Sequence, residues 1–165
     1  MATTNYKGTD TATAGDPPAV GAPLPPLTLT RGDLSEFTLD DYAGRKLVLN
    51  IFPSVDTRVC GLSVRRFNEL ASGLADTTVL CISQDLPFAQ ARFCGAEGIE
   101  NVVMGSAFRS SFGTDYGLTM LASPMRGLLA RTVIVAGVDG LVRHVQITQS
   151  VGDEPDYDAA VAALG

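Results

Sequence analysis

The stretch Lys46–Cys60, KLVLNIFPSVDTRVC, decides the reading of this chain. Its first part, Lys46 to Phe52, is a dense apolar run of the kind found in strands buried on both faces. Pro53 ends that run, because proline has no N–H to give to a ladder. After the loop Ser54–Asp56, the apolar residues Val64, Phe67, Leu70, Ala71 and Leu74 recur at helical spacing, so a helix is expected to begin near Thr57. Cys60 then falls in the first turn of that helix. There the first four backbone N–H groups lack intrahelical partners and carry partial positive charge, which favours a thiolate. An isolated free cysteine is more often a small buried hydrophobe. The strand end, the proline, Thr57 and the helix start around Cys60 favour a reactive thiol instead. Arg58, two residues away, is expected to face elsewhere on the helix.

Working outward, Thr77–Ser83 (TTVLCIS) is a second β-branched, apolar run, and Cys81 inside it reads as a buried, inert thiol. Ser83-Gln84-Asp85 followed by Pro87 reads as a capped helix start, with the helix carrying Phe88, Ala91 and Cys94 and stopping between Gly95 and Gly98. A short strand is expected at Asn101–Met104 and a third helix at Phe108–Tyr116. Near the C-terminus, Thr132–Ala136 and Leu141–Ile147 form a predicted hairpin through Asp139-Gly140, followed by a last helix at Asp156–Leu164. Weaker strand signals lie at Leu27–Thr30 and Phe37–Leu39. By composition, Thr9–Pro26 holds five of the nine prolines and little to bury, so it reads as a flexible or edge-strand arm. Strands alternating with helices and ending in a hairpin imply an α/β chain: a central mixed sheet flanked by helices, the shape of a thioredoxin-like fold, in one domain spanning residues 1–165.

Composition bounds the function. With 165 residues, 45% hydrophobic and 18% charged, the chain is long enough for its own core. A net charge of -6 with scattered Lys and Arg argues against nucleic acid and against an anionic membrane surface. No apolar run reaches the length of a membrane span, and Met1–Gly15 has neither a basic start nor an apolar core of a secretory signal, so the expected location is cytoplasmic. Three cysteines are too few for a disulfide scaffold and point to free thiols or redox chemistry. Cys60, Cys81, Cys94 and His144 match no compact zinc spacing, so no metal is expected, and His144 reads as a surface or structural residue.

Pro53, Thr57 and Cys60 satisfy Pro-x-x-x-Thr-x-x-Cys, and the segment resembles the peroxiredoxin active-site signature. More narrowly, LNIFPSVDTRVC, SVRRFN, VLCISQDLPFAQARFCGAEG, GLLAR and EPDYDAA together resemble the bacterial thiol peroxidases, the atypical two-cysteine peroxiredoxins. The resemblance runs from about Tyr6 to the end of the chain. It implies that the amino-terminal stretch is an ordered β-hairpin extension, against the composition argument above.

By the same resemblance, Cys60 is the peroxidatic cysteine, attacking the O–O bond of a hydroperoxide and becoming a sulfenic acid. Thr57 would offer a hydroxyl to the bound peroxide, Arg131 a cation to the thiolate and the substrate oxygen, and Pro53 a shield from solvent. Cys94 would resolve the sulfenic acid by forming a Cys60–Cys94 disulfide within one chain. A disulfide needs Cα atoms within about 7 Å, so if the reduced fold holds the two cysteines farther apart both helix ends must unwind locally, and a conformational change on oxidation is expected at the turns around Cys60 and Cys94. The resemblance further implies hydrogen peroxide and alkyl hydroperoxides as substrates, thioredoxin as reductant, no bound cofactor, and a homodimer. A thioredoxin-like disulfide oxidoreductase is the rival enzyme class, and the Cys-x-x-Cys that such chemistry uses is absent.

Overall fold

The computed structural model describes residues 1–165. Seven strands make one mixed sheet: β3 (Thr28–Thr30), β4 (Glu36–Thr38), β5 (Lys46–Ile51), β6 (Thr77–Ser83), β7 (Val103–Ser106), β8 (Thr132–Ala136) and β9 (Val142–Ile147). Their spatial order is β4-β3-β7-β6-β5-β8-β9. β5, β6 and β7 run parallel, whereas β8 joins β5 antiparallel and pairs with β9 in the expected hairpin. The apolar strand β5 thus lies between β6 and β8.

Alternation along β5 distributes its side chains to two cores, as a period of two demands. Leu47, Leu49 and Ile51 pack on one side with Leu29, Phe37, Leu80 and Phe112. Val48 and the following Phe52 pack on the other with Val64, Phe67, Cys81 and Phe93. That second layer is built by α1 (Arg58–Ala71), α2 (Pro87–Glu97) and α4 (Tyr157–Ala162). Asn50 also points there, fully buried, and donates to the Ser63 hydroxyl at 3.3 Å, which in turn donates to the Cys60 carbonyl at 2.9 Å. The central strand therefore reaches the first turn of α1 through a polar chain as well as through packing.

Several boundaries differ from the sequence expectation, each for a local reason. The helix expected at Phe108–Tyr116 is only one turn, α3 (Phe112–Asp115), because the residues before it form a turn in which the Ser110 N–H donates to the Ala107 carbonyl and the Ser110 hydroxyl accepts the Phe112 N–H, each at 3.1 Å. β7 begins at Val103 because Asn101 is engaged elsewhere, its N–H and that of Glu100 donating to the Asn68 side chain on α1. The last helix is shorter than Asp156–Leu164: Asp156 is its cap, accepting from the Ala159 N–H at 3.0 Å.

The amino-terminal arm is ordered. β1 (Thr3–Tyr6) and β2 (Thr9–Ala12) form an antiparallel hairpin whose two turn residues, Lys7 and Gly8, both have positive φ. That is the backbone of a two-residue hairpin turn whose twist matches the strands. Composition misjudged this arm because its anchors are hydroxyls: buried Thr4 donates to the Thr148 carbonyl and buried Thr11 to the Ala122 carbonyl, each at 2.9 Å. The arm then closes against Gly117, whose φ of 67° and lack of a Cβ admit the Asp16 backbone; a Cβ there would lie 2.5 Å from the Asp16 carbonyl oxygen.

Candidate active site

Thr57 occupies the N-cap position of α1, which makes Cys60 the third helical residue, within the turn where backbone N–H groups are free of helical partners. The Thr57 hydroxyl donates to the Ser54 carbonyl at 3.0 Å, so its proton is engaged in the loop and its lone pairs stay open. Cys60 is fully buried. Arg131, at the residue before β8, reaches it across the sheet end: Nη2 donates to the Cys60 Sγ at 3.1 Å and Nε to the Val151 carbonyl at 3.1 Å. The third nitrogen, Nη1, is buried without a partner. Arg131 is 1% exposed and takes part in none of the five ion pairs of the fold. A buried guanidinium with the cysteine sulfur on one nitrogen and nothing on another is an arrangement suited to holding negative charge.

Over Arg131 opens a pocket of about 330 Å³, walled by Thr57 and Val59 from α1 and its cap, Met125 and Val151 from two loops, and Tyr6 from the amino-terminal hairpin. Pro53 is buried at the end of β5. Thus Pro53, Thr57, Cys60 and Arg131 converge on one end of the sheet.

Cys94 lies near the C-terminal end of α2, half buried against the same core layer, and burial pushes its thiol above the ordinary value. Its carbonyl accepts the N–H of Gly98, which has the left-handed conformation of a helix end, and that of Ile99. α1 and α2 approach closely at Gly61, where an added Cβ would stand 3.5 Å from the Phe93 ring; an Arg65–Glu97 ion pair at 3.3 Å ties the two helices, and Arg92 on α2 pairs at 2.9 Å with Asp56 in the loop before α1. All three cysteines are free thiols.

The expected cap of α2 is corrected by the geometry. Leu86, not Asp85, holds the N-cap position, and no side chain caps it. The Asp85 carboxylate turns back to the loop after β5 instead, accepting from the Ser54 hydroxyl at 2.7 Å, the Val55 N–H at 2.8 Å and the Ser83 hydroxyl at 2.6 Å. Buried Gln90 supports Ser83 by donating to its hydroxyl at 3.0 Å and to the Gly105 carbonyl at 3.1 Å. Sequence reasoning missed Asp85, Ser54 and Gln90. The available signal was position: Asp85 follows the carboxyl end of a parallel strand, where α/β sheets build their sites.

Cys81 is fully buried in β6, 3.7 Å from the Asn50 amide nitrogen, and burial pushes its thiol from 9.0 up to about 12. In the unfolded chain it ionises near its ordinary value, so its contribution to stability is complete below pH 9 and is lost as pH rises from 9 towards 12. The loss approaches about 1.4 kcal/mol per pH unit from this one group. Cys81→Ala should flatten that decline in urea unfolding measured at about pH 8 and about pH 11. An unaltered decline would show that other groups govern it.

Comparison with known proteins decides the family. Residues 19–161 match the Redoxin family. A thiol peroxidase of Corynebacterium glutamicum is 57% identical over 99% of both chains. One of Mycobacterium tuberculosis is 54% identical over 100% of this chain and 99% of its own. The chain belongs to the bacterial thiol peroxidases. Its thioredoxin-like fold agrees: a peroxiredoxin-like protein of Aquifex aeolicus superposes with a TM-score of 0.93 at 34% identity, covering 98% of this chain and 95% of that one. This thiol peroxidase is a peroxiredoxin-type enzyme with thiol-dependent peroxidase activity, as its sequence motifs implied.

Proposed function

We propose that Cys60 is the peroxidatic cysteine of a single domain spanning residues 1–165, and that Cys94 resolves it. The observation that carries this reading is Arg131, which lines the pocket and whose guanidinium meets the Cys60 sulfur at 3.1 Å while its Nη1 stays buried without a partner. The thiolate attacks the outer oxygen of a hydroperoxide, the O–O bond breaks, and with one proton the leaving oxygen departs as alcohol or water. Cys60 is left as a sulfenic acid, oxidised by two electrons. Negative charge spreads from sulfur to both oxygens in the transition state, where Arg131 and the first N–H groups of α1 stabilise it. Thr57 contributes a hydroxyl oxygen at the pocket wall, and Pro53 closes the site on the strand side.

Cys94 then attacks the Cys60 sulfur, expelling water and forming the disulfide. For this the first turn of α1 and the last turn of α2 unwind, releasing the packing of Phe93 in the core layer it shares with Cys60 and the exposed Arg92–Asp56 pair, which costs little to break. A dithiol of the thioredoxin type reduces the disulfide. Hydrogen peroxide and alkyl hydroperoxides are the proposed substrates, and Tyr6, Met125 and Val151 supply apolar wall for an alkyl group. The enzyme works in cytoplasmic antioxidant defence as a homodimer, without a cofactor.

The test is to treat the reduced protein with one equivalent of hydroperoxide and map its disulfides by mass. A Cys60–Cys94 link is expected, cleaved by thioredoxin with its reductase and NADPH. A Cys60–Cys81 link would move the resolving role to β6.

A further inference from the structure

Asp85 grips the cysteine loop from outside it. We propose that Asp85 is a positioning residue that clasps Ser54 and Val55 to the carboxyl end of β6, holding the first turn of α1 where Cys60 meets Arg131 and thereby setting the balance between reaction with peroxide and unwinding towards Cys94. This rests on the roles proposed above for Cys60 and Cys94.

The loop side of the clasp leads directly to the helix. Ser54 gives its hydroxyl proton to Asp85 at 2.7 Å, accepts the Asp56 N–H on the same oxygen at 3.1 Å, and offers its carbonyl to both the N–H and the hydroxyl of Thr57. Thr57 caps α1, and its carbonyl accepts the N–H of Gly61, the residue after Cys60. The next loop residue, Val55, gives Asp85 its N–H at 2.8 Å and is itself buried in the α1 layer. One carboxylate therefore fixes two consecutive residues immediately before the helix.

Its other side is anchored in the body. Ser83 in β6 donates to the carboxylate, Gln90 on α2 donates to Ser83, and the Ser106 hydroxyl at the end of β7 donates to the Asp85 carbonyl. Gln90 is one helical turn before Cys94, so the network that holds the Cys60 loop also reaches the helix that carries its partner. Hydrogen bonds to an ionised carboxylate are stronger than neutral ones, and this set is part-buried, unlike the exposed Arg92–Asp56 pair. Asp85 is thus the main polar restraint on the loop.

Asp85→Asn keeps the shape but gives up one accepting oxygen for an amide that faces donors. In single-turnover measurements, sulfenic acid formation at Cys60 should slow by about tenfold or more, while the following disulfide step should accelerate. The yield of Cys60 sulfinic acid at high hydroperoxide should fall with it. That over-oxidation takes one oxygen from a second hydroperoxide, which is reduced to alcohol, and competes with resolution. Ser54→Ala, which removes one donor, should shift both steps the same way by less, and it decides the matter if Asp85→Asn does not fold. A general loss of structure slows both steps alike, and that result overturns the clasp. So does a first step within about twofold of the unaltered protein, a margin smaller than one lost charged hydrogen bond. If the unaltered protein itself forms no sulfenic acid at Cys60, the functional reading falls first.

Discussion

Cys60→Ser should leave no measurable hydroperoxide consumption, a loss of at least about a thousandfold, as expected when the nucleophile of a covalent mechanism is removed. The substitution exchanges one atom. A serine oxygen at that position still accepts from the Arg131 guanidinium, which now lies 3.1 Å from the sulfur, so the buried cation keeps a partner. The packing of the first turn against Val64 and Phe93 changes little. Stability should therefore stay close to that of the unaltered protein, and the loss of activity should be a loss of chemistry. A hydroxyl is not ionised at neutral pH and is a poor attacking group on peroxide oxygen, so the helix N-terminus and Arg131 have no anion to hold. Stopped-flow consumption of hydroperoxide by the reduced protein checks this, with thermal unfolding as the control for folding. Retention of even a tenth of the activity in a folded Cys60→Ser protein would transfer the peroxidatic role to another thiol.

What could be read from the sequence follows the range of the forces involved. β5, β6, the β8–β9 hairpin and α1 carry periodic apolar patterns within a single window, and their local signal survives in the fold. The placement of Cys60 in the first turn of α1 was legible for the same reason, since strand end, proline and helix start all lie within a few residues of it. Arg131 was not legible from local pattern. It stands 71 residues from Cys60 and meets its sulfur by side-chain reach across the sheet end, so only family resemblance singled it out. Asp85 shows the opposite failure. Asp-x-Pro is a strong local signal for a helix start, and the helix is there, but the carboxylate found stronger donors 30 and 31 residues away in Val55 and Ser54. The amino-terminal hairpin escaped a composition argument because threonine hydroxyls, rather than apolar side chains, fasten it.

Arg131→Met should separate catalysis from stability with opposite signs. The guanidinium is buried, lacks a carboxylate partner, and leaves Nη1 unsatisfied, an arrangement that costs the fold free energy. A methionine of comparable reach fills the same space without that cost, so the denaturation midpoint should hold or rise. Activity should move the other way. Removing a preorganised donor from the site of developing negative charge lowers kcat by about 10²- to 10³-fold where oxyanion-hole donors have been deleted, and here the same residue also meets the sulfur. Alkylation of Cys60 by iodoacetamide discriminates the two duties: it needs the thiolate but no donor to a peroxide oxygen. Alkylation should therefore fall less than the peroxide reaction, the difference measuring what the guanidinium offers the substrate. Arg131→Lys keeps the charge but not the planar fork that serves the Val151 carbonyl and the sulfur together, and it should recover only part of the loss. Were Arg131→Met to react with hydroperoxide within about threefold of the unaltered protein, far short of what losing such a donor costs, the cation would be structural and the charge would have to be stabilised by the helix N-terminus and the other groups at the pocket, Arg58 among them.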